Sequence, residues 1–257
     1  MVQAVILAGG LGTRFGGETA SRPKPLIEVG GRPVLWHIMK LYEHHGVRDF
    51  VLCAGHRAAA IAEFFIGYHE RYGDIEVDLP TGTVRILRPP VEEWRVSIID
   101  TGPTTETGGR IKRIASFVSG DEFFLLTYGD TLTDVDVSGS IAYHRSHGRL
   151  ATMSVVSPLN RFGKVVVDAG VIIEFREKQP ESPLLLNAGF FVLSPRVLSY
   201  IEDDDTVWEQ APLERLAAER QLMAWRHDRF WQPMDTAVER DTLNRLWDTG
   251  RAPWKVW

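Results

Sequence analysis

Short apolar runs alternate along the chain with segments in which apolar residues recur every three or four positions. The runs predict buried strands and the recurring positions predict amphipathic helices. We predict strands at 4–8, 50–54, 96–99, 123–127, 151–156, 186–193 and 223–225, and helices at 34–45, 58–68, 110–118, 141–147, 195–201, 212–219 and 237–247. The alternation of the two kinds of element predicts an α/β fold with a mixed, mostly parallel sheet flanked by helices.

Two stretches depart from this alternation. Between 73 and 94 the pattern weakens and prolines and glycines interrupt it, so we expect an excursion with short strands that ends at Trp94. Residues 164–175 predict a hairpin that turns at 168–170. The run 123–127 is the most apolar of the predicted strands, and we place it at the centre of the sheet.

Glycines follow the first predicted strand, at Gly9, Gly10 and Gly12, and Thr13 and Arg14 come next. Glycines let the backbone turn sharply and approach a ligand, and their N–H groups can line an anion site. Arg14 adds a planar fork of donors suited to phosphate. With Lys24 as a second cation, the stretch predicts a polyphosphate site.

Two other glycine-rich loops fit less well. A dinucleotide-binding loop needs a third glycine where the chain has Phe15, and an acidic residue after the second strand, where it has Cys53-Ala54-Gly55. The P-loop pattern, which ends in Gly-Lys-Ser/Thr, is absent from the sequence. A hydride-transferring dehydrogenase is therefore disfavoured.

Composition narrows the class of protein. The 257 residues are 44% hydrophobic and 25% charged, as in globular proteins, and the net charge of −5 argues against a nucleic-acid partner. The single cysteine, Cys53, excludes an intramolecular disulfide and indicates a reducing compartment. Because no signal core or long apolar run is present, we expect a cytoplasmic protein with no membrane contact.

The motifs resemble those of the sugar-1-phosphate nucleotidylyltransferases. The resemblance begins with Leu7-Ala8-Gly9-Gly10-Leu11-Gly12-Thr13-Arg14 and Lys24-Pro25. It continues through Trp36-His37-Ile38-Met39-Lys40, Asp100-Thr101-Gly102, Thr107-Gly108-Gly109-Arg110, Thr127-Tyr128-Gly129-Asp130, Phe230-Trp231-Gln232-Pro233-Met234-Asp235-Thr236 and Ala252-Pro253-Trp254-Lys255. These later motifs are similar to those of one branch, the glucose-1-phosphate cytidylyltransferases.

The resemblance implies a fold, a reaction and a set of site residues. The fold would be the Rossmann-like nucleotide-diphospho-sugar transferase fold, as one domain over 1–257, with a nucleotide-binding half at about 1–135 and a sugar-binding half at about 136–257. The reaction would join CTP and glucose 1-phosphate into CDP-glucose and pyrophosphate with Mg²⁺, as a step in dideoxysugar and O-antigen synthesis. Arg14 and Lys24 would be catalytic. The nucleotide-binding residues would be Leu7, Ala8, Gly9, Gly10, Leu11, Gly12, Thr13, Arg14, Lys24, Thr105, Gly108, Arg110 and Asp130.

Two aspartates are implied as metal ligands. Asp130 ends an apolar strand, where ligands bind in open α/β sheets, although Asp134 and Asp136 lie close enough in sequence to compete for the role. For Asp235, the local sequence also allows a purely structural role, in which Asp235 or Thr236 is the N-cap of the following helix.

The implied sugar-binding residues are Tyr128, Glu177, Lys178, Asn187, Gly189 and Trp231. Many relatives have Glu-Lys-Pro where this chain has Glu177-Lys178-Gln179-Pro180, one residue longer, so the position of Lys178 is open. Asn187 would bind hexose hydroxyls, and Gly189 would leave room for the sugar ring. Arg110 at the start of a predicted helix is unfavourable for the helix dipole, which favours a ligand role.

Several alternatives stay open from the sequence. The base could be uracil or thymine, or the protein could be a nucleotide-sugar sensor without turnover. We assign no chemistry to the histidines, and we expect His144 and His147 to lie on an exposed helix face. The excursion at 73–94 and the tail tryptophans Trp247, Trp254 and Trp257 could form an interface, and we expect a homo-oligomer.

Overall fold

The computed structural model describes residues 2–10, 12, 15, 22–157, 164–168, 171–176 and 184–257. The strands are β1 Gln3–Leu7, β2 Glu28–Val29, β3 Arg32–Pro33, β4 Asp49–Ala54, β5 Asp74–Asp78, β6 Thr83–Arg88, β7 Arg95–Asp100, β8 Phe124–Tyr128, β9 Thr131–Thr133, β10 Ala151–Val156, β11 Lys164–Asp168, β12 Val171–Arg176, β13 Leu186–Leu193, β14 Leu222–His227 and β15 Trp231–Pro233. The helices are α1 Val34–His44, α2 Ala58–Ile66, α3 Tyr68–Tyr72, α4 Thr107–Arg113, α5 Ala115–Val118, α6 Val137–His147, α7 Ala211–Ala218 and α8 Ala237–Asp248, with 3₁₀ turns at Lys24–Leu26 and Pro195–Tyr200.

A central sheet carries the fold. Among the described residues, seven strands pair in the order β14-β10-β13-β8-β1-β4-β7, so β8 is in the middle as predicted. In this sheet β13 runs antiparallel to both its neighbours, and the other pairs are parallel. The predicted mixed, mostly parallel sheet is confirmed. It draws strands from both halves of the chain.

Apolar side chains cover both faces of this sheet. Along β1, Ala4 and Ile6 face a layer that contains α1 and part of α8, whereas Val5 and Leu7 face a layer that contains α4 and α5. Burial on both faces explains why the central strands are continuous apolar runs. Cys53 is fully buried in the second layer, and this burial raises the pKa of its thiol to about 12.

Two three-residue strands join distant parts of the chain. β9 pairs with β15 in antiparallel register, with Thr131 opposite Pro233. The amide of Met234 then donates to the carbonyl of Asp130 over 2.8 Å. This pairing holds the segment after β15 against the carboxyl end of β8. Neither β9 nor β15 was predicted from the sequence.

Some predicted boundaries were wrong. The helix predicted at 58–68 is interrupted at Gly67, so α2 and α3 are separate. The helix predicted to start at Arg110 begins three residues earlier, at Thr107. The strand predicted at 223–225 is longer, because β14 pairs with β10 along its whole length. The expected excursion contains the hairpin of β5 and β6.

Two expectations about surface residues were also wrong. His144 is buried, and its Nδ1 bonds to the hydroxyl of Thr152 over 2.9 Å. Burial lowers the pKa of His144 to about 4, so the residue is neutral near pH 7. In the tail, Trp254 is fully buried and stacks on Phe230, so it packs inside its own chain.

None of the helices in the described part of the chain combines the length and the apolar character needed to cross a membrane.

Candidate active site

A cavity of about 710 Å³ opens at the carboxyl ends of the parallel strands β1 and β8. The loop between β7 and α4 forms another wall. Ligands of open α/β sheets bind at this edge. The described lining residues are Leu7, Ala8, Gly9, Gly10, Gly12, Phe15, Lys24, Pro25, Pro103, Thr104, Thr105, Glu106, Thr107, Arg110, Tyr128, Gly129, Asp130 and Asp235.

Lys24 lies between two carboxylates in this cavity. Its Nζ is 2.6 Å from Oδ2 of Asp130 and 2.6 Å from Oδ1 of Asp235. The side chain of Lys24 is only 12% exposed, so the two ion pairs are partly shielded from water. Three residues that the sequence separates by more than a hundred positions therefore meet at one point.

The β9–β15 pair explains this convergence. Asp130 stands immediately before β9 and Asp235 follows β15 by two residues, so the antiparallel pairing brings both to one end of the ribbon. The local alternative for Asp235 is resolved: Thr236 is the N-cap of α8, and it forms a capping box with Glu239. Asp235 is thus left to face the cavity.

The two aspartates that could compete with Asp130 lie elsewhere. Oδ1 of Asp134 accepts the amide of Phe230 over 3.0 Å and lies 3.3 Å from Nε2 of His227, and Oδ2 is ion-paired with Arg229 over 3.4 Å. Asp136 is the N-cap of α6, where it accepts the amide of Gly139. Neither lines the cavity.

The donor set fits a small hard cation. One carboxylate oxygen of Asp130 and one of Asp235 each lie 2.6 Å from Nζ of Lys24. The two oxygens are therefore no farther apart than twice that distance, and the lysine ammonium lies between them. Mg²⁺ is commonly held by one or two carboxylates plus substrate phosphates and water. No group of three or more His, Cys, Asp or Glu side chains that could hold a metal ion is found among the described residues.

Arg110 binds the ends of three strands together. Its Nη1 donates to the carbonyl of Ala54, the hydroxyl of Thr101 and the carbonyl of Gly102, over 3.2, 2.7 and 2.8 Å. Its Nη2 donates to the carbonyl of Gly9 over 3.2 Å. A Cβ at Gly9 would lie 2.2 Å from Nη1, so the close approach requires glycine.

The helix-dipole argument for Arg110 was wrong, because Arg110 lies in the middle of α4 and not at its start. The role expected for Gly108 needs a correction as well. Its amide donates to the carbonyl of Thr206 over 2.9 Å, and Gly108 does not line the cavity. That amide is therefore not free to bind a base. Thr105 does line the cavity, and it is buried.

The end of β8 forms a wall beside the acids. Tyr128 lines the cavity, and its ring lies against Gly189, where a Cβ would be 2.4 Å from Cδ2. The space left by Gly189 is thus filled by Tyr128 and not by a sugar. Asn187 accepts the amide of Gly189 over 2.8 Å. Trp231 donates its indole N–H to the carbonyl of Ala188 and does not line the cavity.

Five residues of the expected site lie outside the described residues: Leu11, Thr13, Arg14, Glu177 and Lys178. Their roles stay predictions.

The structure also adds residues that the sequence did not indicate. Phe15, Pro103, Thr104 and Glu106 line the cavity, and so does Thr107, which the motif contained without a role. Phe15 follows the glycines after β1, whereas Pro103, Thr104 and Glu106 lie between β7 and α4 and Thr107 begins α4. Parallel pairing sets β1, β4 and β7 side by side, which brings both segments to one cavity.

Comparison with known proteins decides the family. The sequence model of the family described as Nucleotidyl transferase matches residues 3–232. The chain belongs to the nucleotidyl transferase family. The glucose-1-phosphate cytidylyltransferase of Salmonella typhi is 45% identical over 256 residues, which cover 100% of both chains, and that of Salmonella typhimurium gives the same identity and coverage.

One solved structure has a similar fold. The structure of HddC from Yersinia pseudotuberculosis, complexed with GMP-PN, is similar with a TM-score of 0.69 at 22% identity. The match covers 96% of this chain and 100% of that chain. At this identity the likeness supports the fold alone. The resemblance seen in the motifs is confirmed by the family match and by the two full-length relatives.

Proposed function

We propose that this nucleotidyl transferase transfers the cytidylyl group of CTP to α-D-glucose 1-phosphate, giving CDP-glucose and pyrophosphate. The observation that carries the proposal is the 45% identity, over the full length, to the Salmonella typhi enzyme. The convergence of Lys24, Asp130 and Asp235 in one cavity supports it.

The reaction is an in-line displacement at phosphorus. A phosphate oxygen of the sugar phosphate attacks the α-phosphorus of CTP, a new P–O bond forms, and the bond from that phosphorus to the oxygen bridging to the β-phosphate breaks. Pyrophosphate leaves with the bonding electrons. Such reactions depend on positioning and on neutralising the phosphate charge. We assign the positive charge near the reacting phosphates to Lys24. Arg14 and the glycine-loop amides hold the departing pyrophosphate in this proposal.

A divalent cation, which we propose is Mg²⁺, is held by Asp130 and Asp235. When bound, it neutralises charge on the phosphates and orients them. The protein's part is to present two carboxylates, and Lys24 is the counter-ion of both.

The two ion pairs also predict how the metal requirement responds to mutation. Asp235→Asn removes one ligand charge, so we expect the Mg²⁺ concentration for half-maximal velocity to rise by at least tenfold. The control is Asp241→Asn on the exposed side of α8, where the carboxylate pairs with Arg240. An unchanged Mg²⁺ titration in Asp235→Asn removes this residue from the metal site.

We assign the base and ribose to the loop between β7 and α4, where Thr105 is buried, and to Gly9, Gly10 and Gly12, which line the same cavity. Tyr128 is assigned to the sugar side, together with Asn187, Glu177 and Lys178 as implied by the family resemblance. Gly189 makes room for the ring of Tyr128, and Trp231, which does not line the cavity, is given no sugar contact. The chain would then bind the nucleotide mainly with its first half (about 1–135) and the sugar mainly with its second.

Base choice is tested by measuring pyrophosphate release with glucose 1-phosphate and Mg²⁺, with CTP, UTP, dTTP, ATP and GTP offered separately. We expect CTP to give much the fastest release. Faster release with UTP or dTTP keeps the mechanism and overturns the cytidylyl assignment. Tight binding of CTP without release from any triphosphate supports the sensor alternative.

We also propose that the chain forms a homo-oligomer through the β5–β6 hairpin. Ile75 pairs with Ile86 and Val77 with Val84, and these side chains are 36–46% exposed. The other face carries the ion pair of Glu76 and Arg85. A sheet face with exposed apolar residues opposite a charged face is typical of an interface.

Light scattering on the purified protein tests the oligomer. We expect Val77→Glu to lower the mass of the assembly, and the control Thr83→Glu, on the charged face, to leave it unchanged. A wild-type monomer contradicts the proposal. A cytoplasmic location and a role in dideoxysugar and O-antigen synthesis stay predictions.

A further inference from the structure

The carboxylate of Glu209 joins two walls of the cavity, although Glu209 itself does not line it. The hydroxyl of Thr107, at the start of α4, donates to Oε2 over 2.6 Å. The phenol of Tyr128, at the end of β8, donates to Oε1. Thr107 belongs to the side that we assign to the nucleotide, and Tyr128 to the side that we assign to the sugar.

Glu209 is carried by a segment that is fixed to α4. We call residues 201–209 the strap. The amide of Glu106 donates to the carbonyl of Asp204 over 2.8 Å, and the amides of Gly108 and Gly109 donate to that of Thr206 over 2.9 and 3.2 Å. These bonds satisfy amide groups at the start of α4 that have no partner inside the helix.

Side chains fix the strap at its other points. Lys112 donates to the carbonyls of Ile201 and Glu202, each over 2.7 Å. Arg113 and Asp204 form a two-point ion pair. Trp208, which is fully buried, anchors the strap next to Glu209. Glu209 is thus held close to α4 by the whole segment and not by its own contacts alone.

The two glycines of the motif permit this docking. A Cβ at Gly108 would lie 2.6 Å from the carbonyl oxygen of Thr206, and one at Gly109 would lie 2.5 Å from that of Asp204. Real Cβ atoms do not approach backbone this closely, so a larger residue at either position would move the strap. The pair Gly108-Gly109 therefore serves the strap.

The bonding pattern requires a carboxylate at position 209. The amide of Trp208 donates to the hydroxyl of Thr107 over 2.9 Å, so that hydroxyl is oriented to donate its own proton onward. The phenol of Tyr128 is a donor too. A carboxylate has two oxygens that both accept, whereas an amide offers one acceptor and one donor. The two oxygens of Glu209 thus accept from both donors at once, which a glutamine amide in the same orientation would not do.

We propose that Glu209 is a positioning residue that sets the spacing of the nucleotide wall and the sugar wall, so that both substrates bind to a cavity shaped in advance. This inference rests on the proposed function for the identity of the two substrates. Preorganised walls improve binding because less order has to be gained when the ligand enters.

The test compares five variants with the wild type: Glu209→Ala, Thr107→Val, Tyr128→Phe, the double variant of Glu209→Ala and Thr107→Val, and the control Glu219→Ala. Glu219 accepts the phenol of Tyr200 in the same way, away from the lining residues. We measure kcat and the KM of each substrate, and the binding of CTP alone and of glucose 1-phosphate alone by calorimetry. Urea unfolding reports whether each variant is folded.

We expect Glu209→Ala to raise both KM values by about fivefold, the effect of losing one hydrogen bond at each wall, with kcat within about threefold of wild type. Thr107→Val should raise mainly the KM for CTP, and Tyr128→Phe mainly that for glucose 1-phosphate. In the Thr107→Val background, Glu209→Ala should no longer change the KM for CTP, because the bond it removes is already absent.

The proposal is overturned if Glu209→Ala is folded and changes neither KM, if it changes kcat alone, or if Glu219→Ala gives the same changes. Failure of the proposed function looks different, because the wild type then makes no CDP-glucose. Calorimetry still decides the role of Glu209 in that case. Weaker binding of both ligands by Glu209→Ala than by the wild type supports the role, whereas unchanged binding by the variant, or no binding of either ligand by the wild type, overturns it.

Discussion

Replacing Gly189 by alanine should both destabilise the protein and displace Tyr128. Gly189 has φ +80°, in the region that favours glycine, and a Cβ there would lie 2.4 Å from Cδ2 of Tyr128. The left-handed backbone costs a non-glycine residue about 1–2 kcal/mol. Moving a packed ring out of the way costs about 1–3 kcal/mol more. We therefore expect Gly189→Ala to lower the free energy of unfolding by about 2–5 kcal/mol.

A control separates the two contributions. Gly148, the C-cap of α6, has φ +63°, and nothing lies within 4 Å of its Cβ position. Gly148→Ala should thus cost only the backbone part, about 1–2 kcal/mol. The assay is urea unfolding of both variants, followed by the KM for glucose 1-phosphate, which should rise only in Gly189→Ala because Tyr128 lines the cavity.

The contribution of the Tyr128 ring to this cost can be isolated in a variant that lacks the ring. In Tyr128→Ala, the added methyl at position 189 no longer meets an aromatic ring, so the cost of Gly189→Ala should fall to that of Gly148→Ala. The reasoning is refuted if Gly189→Ala costs no more than the control in the wild-type background, or if its KM for glucose 1-phosphate is unchanged.

Two further predictions concern buried cationic and titratable groups. Arg110→Lys keeps the charge but loses the planar group that donates to four oxygens, so we expect the free energy of unfolding in urea to fall by about 2–4 kcal/mol and CTP to bind more weakly. The control Arg145→Lys, at an exposed ion pair with Glu122, should change both quantities little, and equal effects of the two substitutions would contradict the structural role of Arg110. His37 is buried, and burial lowers its pKa to about 4, below the ordinary 6.5. The folded protein therefore favours the neutral imidazole of His37. The contribution of His37 to the free energy of unfolding is complete above pH 6.5, and it decreases by about 3 kcal/mol as the pH falls toward 4. The difference in unfolding free energy between wild type and His37→Gln should therefore narrow by about 2–3 kcal/mol from pH 7 to pH 4.5, and a constant difference would contradict the assignment.

The hydrophobic pattern of the sequence was sufficient to predict the layered sheet. The order of apolar runs predicted the parallel strands, and the strongly apolar run at β8 correctly predicted a central strand, because a strand covered on both faces must be apolar throughout. The parts missed were those set by distant contacts. β9 and β15 have three residues each, too few to show a periodicity, and they pair across about a hundred positions.

In the candidate site, too, local sequence predicted some features, and contacts between distant residues determined the others. The family motif pointed to Asp130 and Asp235, but their meeting at Lys24 follows from the β9–β15 pairing, which no local pattern contains. Arg110 was implied by the family resemblance, and only the additional helix-dipole argument is contradicted, because α4 starts three residues before Arg110. The strap explains that early start by supplying carbonyls to the first amides of α4. Glu209 carried no signal in the sequence.

Lys24 is the positive charge that the proposed reaction places at the reacting phosphates, so its removal should show in turnover. We would measure CDP-glucose formation from CTP and glucose 1-phosphate, at saturating substrates and Mg²⁺, for wild type and Lys24→Ala, with urea unfolding to verify the fold. Turnover should fall by at least about a hundredfold in the folded variant, the scale of losing one preorganised charge at a transition state. Turnover near that of the wild type would contradict this role.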